Sequence, residues 1–204
     1  MGGETIRHAK LEAVLDAARS IFFEHGFSAA TTDMIQRRAG VSKSTLYAYF
    51  PSKEALFVAV VESENAVFIH TLESIRFRPG TLEETLHFIG KAYLRIILSP
   101  GTLALYRVIV SEASRFPQLA HGFYESGPRM FNAKLAELFT LAEASGEMRL
   151  EGLEKTEAAG AFVGLLRGES QLQYVTHVNT KPAQSQIENW VRIAVTTFLR
   201  AYGT

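Results

Sequence analysis

The segment that most narrows the fold of this chain runs from Met34 to Lys53 and reads Met-Ile-Gln-Arg-Arg-Ala-Gly-Val-Ser-Lys-Ser-Thr-Leu-Tyr-Ala-Tyr-Phe-Pro-Ser-Lys. Two short helical patterns meet there at Gly40, a residue that accepts a tight turn without steric penalty. The arrangement is a helix-turn-helix. The same stretch carries Arg37, Arg38, Lys43 and Lys53 and no acidic residue, in a chain whose formal net charge is +0. With no global field to attract nucleic acid, the uneven charge is what makes double-stranded DNA the leading partner.

Composition limits the alternatives. At 204 residues the chain suits one large domain, or one small domain plus a larger one. A hydrophobic content of 47% supports a substantial core. There are no cysteines, which excludes disulfides, thiolate metal sites and a cysteine nucleophile, and suits a reducing cytoplasm. The first residues, Met-Gly-Gly-Glu-Thr-Ile-Arg-His, have no apolar core of a secretory signal. Apolar runs such as Ala55 to Val61 fall far short of the ~18 residues expected of a membrane span. A soluble cytoplasmic protein with no membrane partner is expected.

Ahead of the turn, Leu11, Val14, Leu15, Ala18, Ile21 and Phe22 repeat at i, i+3, i+4 and i+7, one face of a helix. Gly26 should stop that helix in a left-handed cap, with Phe27 folding back on Phe22. Thr31 or Thr32 then caps a short helix to about Arg38, with Ile35 and Ala39 facing inward. Ser42 caps a third helix, Lys43 to Tyr49, that buries Leu46. Pro51 ends it and Ser52 opens a fourth helix, with Leu56 and Val60 inward. Leu56 to Ile75 reads as one continuous helix.

Helix N-termini at Thr32, Ser42 and Ser52 offer unpaired N–H groups to phosphate. Lys43, Ser44 and Thr45 fill the first turn of the third helix, the part that reaches base edges in a major groove. Tyr47 projects outward, and Lys53 can pair with flanking backbone. Tyr49 and Phe50 read as core. On spacing alone, Ser, Thr and Lys in a first helical turn are equally at home as caps and solvated residues.

From about His8 to Val67 the chain resembles the N-terminal domain of the tetracycline-repressor-like (TetR/AcrR) family of bacterial transcription regulators. The resemblance rests on Ala17-Ala18, Phe22, Gly26-Phe27, Thr31-Thr32, Ile35, Ala39-Gly40-Val41-Ser42-Lys43, Thr45-Leu46-Tyr47, Tyr49-Phe50 and Ser52-Lys53-Glu54-Ala55-Leu56. It implies an all-α homodimer that binds a palindromic operator and responds to an unknown small-molecule effector. By position, the family's DNA contacts fall on Thr32, Ser42, Lys43, Ser44, Thr45, Tyr47 and Lys53. Ala48 departs from the pattern, standing where many members carry histidine. The expected organisation is a three-helix helix-turn-helix domain over residues 6–52 and a larger helical ligand-binding and dimerisation domain over residues 53–204, about nine helices in all.

The remainder keeps helical periodicity. Thr81 and Glu84 have capping-box spacing ahead of Leu86, Ile89, Tyr93, Ile96 and Ile97. Ser99-Pro-Gly101 breaks the chain before Leu105, Val108 and Ile109. A later pattern holds Phe131, Leu135, Leu138 and Phe139 and stops at Ser145-Gly146. Ser185 and Glu188 form a second capping-box spacing, opening a helix with Ile187, Val191, Ala194, Val195, Phe198 and Tyr202 on one side.

Gly160, Gly164 and Gly168 would share one helix face, at about 1 kcal/mol each relative to alanine. Close approach of another helix, within one subunit or across two, would offset that. Because the family pairs its last two helices with their symmetry mates, the resemblance puts Gly160, Gly164, Gly168, Val191, Val195 and Phe198 at a dimer interface. Such a dimer holds two reading heads about one duplex turn (~34 Å) apart. Candidate effector contacts are Arg107, Ser111, Tyr124, Arg129, Arg167, Gln171 and Tyr174, polar groups set among apolar helical patterns. Tyr106 through Pro128 also resembles the C-terminal regulatory domain of one branch of the family.

The function expected is a ligand-responsive regulator, most simply a repressor, with a ligand-activated activator as the alternative. An enzyme finds no support: HExxH, P-loop, GxGxxG and GxSxG are all missing, and His70, His87 and His121 have no metal-ligand spacing. No cofactor or metal is expected. A non-specific architectural DNA binder is disfavoured by the small size of the basic patch.

Overall fold

The computed structural model describes residues 2–73, 77–177 and 180–204. Among these the chain is all-α, with helices α1 (Gly2–Ala29), α2 (Thr32–Ala39), α3 (Lys43–Tyr49), α4 (Lys53–Glu73), α5 (Leu82–Ile97), α6 (Pro100–Glu112), α7 (Pro117–Tyr124), α8 (Met130–Ala144), α9 (Lys155–Thr176) and α10 (Gln184–Tyr202). A single π turn, Glu125–Arg129, precedes α8 and contains Pro128. The continuous helix expected from Leu56 is α4, and its expected last residue, Ile75, lies outside the described residues.

The chain packs as two units, one formed by the residues up to Asn65 with Ala104–Ser126, the other by Ala66–Leu103 with Gly127–Thr204. The core of the first contains Val14, Ala18, Ile21, Phe22, Phe27, Ile35, Leu46, Leu56, Phe57 and Val60, joined by Leu105, Val108, Ile109 and Leu119 from α6 and α7. Phe27 is its hub: its ring lies 5.8 Å from Phe22, 5.0 Å from Phe57 and 4.8 Å from Phe116. Gly26 has φ 75° and ψ 169°, so the break in α1 is a positive-φ kink with extended ψ rather than the left-handed cap expected. One more turn follows it, closed by the Ala30 amide donating to the Gly26 carbonyl at 3.2 Å. The expected Phe22–Phe27 contact forms nonetheless.

In the second unit, Phe198 of α10 lies 5.2 Å from both Phe139 of α8 and Phe162 of α9. Val191, Val195 and Phe198 are 0–1% exposed. They belong to the core of their own unit, which corrects their assignment to a dimer interface. Periodicity identified the apolar face of α10 correctly, but α5, α8 and α9 of the same chain already cover it. The glycine that close packing requires is Gly90 on α5, where an added Cβ would stand 2.9 Å from a Val191 methyl. At Gly164 and Gly168 a Cβ would meet nothing within 4 Å, and at Gly160 only the Asn132 amide at 3.9 Å. Tight packing inside the chain therefore does not explain these three glycines. Gly168 is not helical (φ 8°, ψ −122°) and breaks α9, so the cost of a helix-interior glycine does not apply to it.

Neither capping box forms as expected. The Thr81 hydroxyl donates to the Arg78 carbonyl at 2.7 Å, leaving the start of α5 to Glu147, whose carboxylate accepts from the Gly80 amide (2.8 Å) and the Leu82 amide (3.0 Å). The last helix starts one residue before Ser185, after Ala183, whose amide donates to the Gln186 side chain at 2.8 Å. Glu188 instead accepts from the Gln184 side chain at 2.8 Å. Ser99 does cap α6, its hydroxyl accepting from the Thr102 amide at 3.2 Å.

Candidate nucleic-acid interface

The helix-turn-helix is built by local chemistry. Thr31 has extended backbone and its hydroxyl accepts from the Met34 amide, so Thr31, not Thr32, caps α2. Ile35 is fully buried and Ala39 half-buried, which fixes the inward side of α2. Gly40 takes the left-handed conformation (φ 66°, ψ 29°), and its amide donates to the Arg37 carbonyl. A side chain there would be strained, which is why the turn needs glycine.

Ser42 then caps α3, its hydroxyl accepting from the Thr45 amide at 3.1 Å. The bounds of α3 are those the sequence indicates, and Leu46 is fully buried beneath it. Ser42, Lys43, Ser44 and Ala48 are exposed, Thr45 is half-buried, and Tyr47 is 42% exposed. The outward surface of α3 is thus a hydroxyl-rich first turn with a tyrosine one turn on. Its hydroxyls are already linked: Ser42 Oγ lies 2.9 Å from Ser44 Oγ and 2.8 Å from Thr45 Oγ1. The Tyr47 hydroxyl lies 3.3 Å from Thr32 Oγ1 on α2, so these two candidate contacts adjoin across the turn. Tyr49 and Phe50 are half-buried; the Tyr49 hydroxyl donates to the Arg7 carbonyl and Phe50 packs on the core.

Lys53 is placed differently from the other candidates. Its ammonium sits 4.5 Å over the Phe27 ring and donates to the carbonyls of Phe27 (2.9 Å) and Ala30 (3.1 Å). Those carbonyls belong to the end of α1, where a cation offsets the negative end of the helix. In this arrangement the charge serves the joint between α1 and α4. The Ser52 cap of α4 forms as expected, accepting from the Ala55 amide at 3.0 Å.

The acid-free stretch is compensated from outside itself. Arg38 is held by both carboxylate oxygens of Glu24, at 2.5 and 3.0 Å. Lys43 Nζ lies 3.0 Å from Asp33 Oδ1. The hydrogen bond to Asp33, reinforced by its charge, holds Lys43 above the ordinary lysine value. Arg37 donates through Nε to the Asp33 backbone carbonyl at 3.1 Å. The missing acids were in the sequence all along, Asp33 one residue before the stretch and Glu24 on the preceding helix.

The candidate effector contacts divide between the two units. Arg107, Ser111 and Tyr124 fall in the first, and Arg129, Arg167, Gln171 and Tyr174 in the second. Ser111 donates to the Val108 carbonyl at 3.0 Å, and Tyr124 is 51% exposed. Arg167 donates to the Gln171 side chain at 2.6 Å. Tyr174 is buried: it is 4% exposed, packs edge-on to Trp190, and its hydroxyl reaches Gln186 at 3.4 Å. A narrow apolar crevice in the first unit, too tight for a water molecule, is lined by Phe27, Phe57, Val108, Ile109, Glu112, Phe116 and Leu119.

This geometry defines a helix-turn-helix protein with a second helical unit. Residues 14–60 match the family model described as bacterial regulatory proteins, tetR family, and residues 84–204 match the AefR-like transcriptional repressor C-terminal domain. The chain belongs to the TetR family of DNA-binding transcription regulators. Among curated relatives it is 35% identical over 111 residues to the HTH-type transcriptional regulator UidR of Escherichia coli K12, a match covering 52% of this chain and 53% of that protein. The chain thus spans about half the length of UidR. It is 27% identical over 188 residues to SrpR of Pseudomonas putida, covering 92% of this chain and 82% of SrpR. Among solved structures, the flavonoid-responsive regulator FrrA is 36% identical with a TM-score of 0.76, covering 95% of this chain and 97% of that one. A TetR-family regulator from Mesorhizobium loti MAFF303099 reaches a TM-score of 0.82 at 25% identity, covering 97% and 98%. Among the described residues no single helix is long and apolar enough to cross a membrane.

Proposed function

We propose that this protein is a ligand-responsive repressor that binds a palindromic operator as a homodimer, with α3 entering the major groove. The observation that carries the reading is the two-sidedness of α3: Leu46 is sealed in the core while Ser42, Lys43, Ser44 and Tyr47 face outward. Lys43, Ser44 and Thr45 address base edges, and Thr32, Ser42 and Tyr47 address phosphates. Lys53 holds the end of α1 in place and acts on DNA through that support.

Self-association uses the outer face of α9 with α10. Gly164, Leu165, Gly168 and Leu172 are all exposed on α9, with Leu172 at 62%, and Ile193 on α10 is 48% exposed. An apolar strip with two glycines suits close approach of a second copy. The likeness to FrrA makes flavonoids the first effectors to try. Effector binding reaches the reading head through α4 and α6, each of which has residues in both units. A coupling of ~1–3 kcal/mol would give a 5–150-fold change in operator affinity.

The test is selection of bound duplexes from a random pool, repeated with a panel of flavonoids. Recovery of a palindrome, weakened uniformly by Tyr47→Ala and with altered base preference in Thr45→Ala, is expected. Recovery of no preferred sequence overturns the reading.

A further inference from the structure

We infer that Asp33 is a specificity-determining residue of the reading head: it engages the Lys43 ammonium so that lysine reads a base edge instead of adding a sequence-blind phosphate contact. The inference rests on the assignment of α3 to the major groove. Asp33 and Lys43 come from different helices, the first turn of α2 and the first residue of α3, and their charged atoms are 3.0 Å apart. Lys43 occupies the N-terminal end of α3, where the helix dipole is positive and the first turn holds no acid of its own. The carboxylate on α2 supplies the missing counter-charge.

Two consequences follow for DNA. Non-specific affinity comes from cations that neutralise phosphates and release counterions. A lysine already facing a carboxylate has less to gain from a phosphate, and that carboxylate repels the phosphate as well. Yet an ammonium has three donors, and Asp33 engages one. The others remain available to an acceptor such as guanine O6 or N7, with the side chain already directed from α2. Arg38 and Lys53 are likewise engaged by partners within the chain, Glu24 and the end of α1, whereas Arg37 meets only the Asp33 backbone carbonyl. Asp33 is the mask at the base-reading turn.

The test measures affinity for the selected operator and for a scrambled duplex of equal length, across salt, in parent, Asp33→Asn, Lys43→Met and the double variant. Asp33→Asn should bind scrambled DNA on the order of fivefold more tightly at low salt, the factor one unit charge makes a few ångströms away in water. Its salt slope on scrambled DNA should steepen by about 1. The ratio of operator to scrambled affinity should fall, and in the Lys43→Met background, where only the direct repulsion of phosphate is relieved, the steepening should be smaller. An unchanged ratio, or steepening just as large without Lys43, overturns the role of Asp33 while leaving operator binding intact. A parent that prefers no duplex overturns the functional reading itself.

Discussion

Removing the Glu147 carboxylate tests whether α5 is started from a distance rather than by its own Thr81. One oxygen of Glu147 accepts from the Gly80 amide (2.8 Å) and the Ser145 hydroxyl (2.8 Å), and the other from the Leu82 amide (3.0 Å). Loss of a helix cap costs ~0.5–2 kcal/mol. Here a charged acceptor serves two amides at the entrance to the helix, so Glu147→Ala should destabilise by about 2 kcal/mol, towards the upper end of that range. Glu147→Gln keeps one acceptor oxygen and should lose roughly half as much.

The effect also has a pH signature. Burial pushes this carboxyl up, but the Leu82 and Gly80 amides and the Ser145 hydroxyl together pull it below the ordinary glutamate value. A carboxyl with a lowered folded pKa stabilises fully above its unfolded value of about 4.3, and the contribution is lost as pH falls through the folded value. The gap between parent and Glu147→Gln should therefore be full at neutral pH and narrow below about pH 4. Urea unfolding followed by circular dichroism, at fixed protein concentration because association shifts apparent stability, reads both quantities. A gap that stays constant across the acid range, or a larger loss in Thr81→Ala than in Glu147→Ala, would refute the reasoning.

Three further outcomes separate alternatives left by the sequence. Gly90→Val should destabilise by about 1–3 kcal/mol, because the new side chain collides with Val191, whereas Gly164→Leu should fold normally and yield monomers in sedimentation; an unchanged dimer would remove Gly164 from the interface. Lys53→Met should lower thermal stability by about 1–2 kcal/mol through the lost bonds to the end of α1. If instead it melts like the parent and loses only DNA affinity, Lys53 acts on phosphate directly.

The reading head was legible because its signals are local. Ser42, Leu46 and Pro51 lie within ten residues of one another and act through cap, core and proline sterics, so the bounds of α3 could be read directly. Most of the errors arise from a partner that lies outside the stretch being read. Thr81 and Glu84 have the spacing of a capping box, but Glu147, 65 residues beyond Leu82, reaches the amides instead. Val191, Val195 and Phe198 announce an apolar face, yet periodicity does not say whether a helix of the same chain covers it. The basic stretch looked uncompensated because Glu24 and Asp33 fall outside it. Lys53 looked like a DNA contact because nothing in its neighbours reveals that the carbonyls of Phe27 and Ala30 lie beneath it.

The grouping of Ala104–Ser126 with the N-terminal helices has a practical corollary. Leu105, Val108, Ile109 and Leu119 complete the apolar interior around Phe27, and Phe116 covers its ring. Cutting the polypeptide after the helix-turn-helix would strip away that covering and leave Phe27 and Phe57 wet. An isolated reading head would be sticky and loosely folded, so operator binding has to be studied on the intact polypeptide.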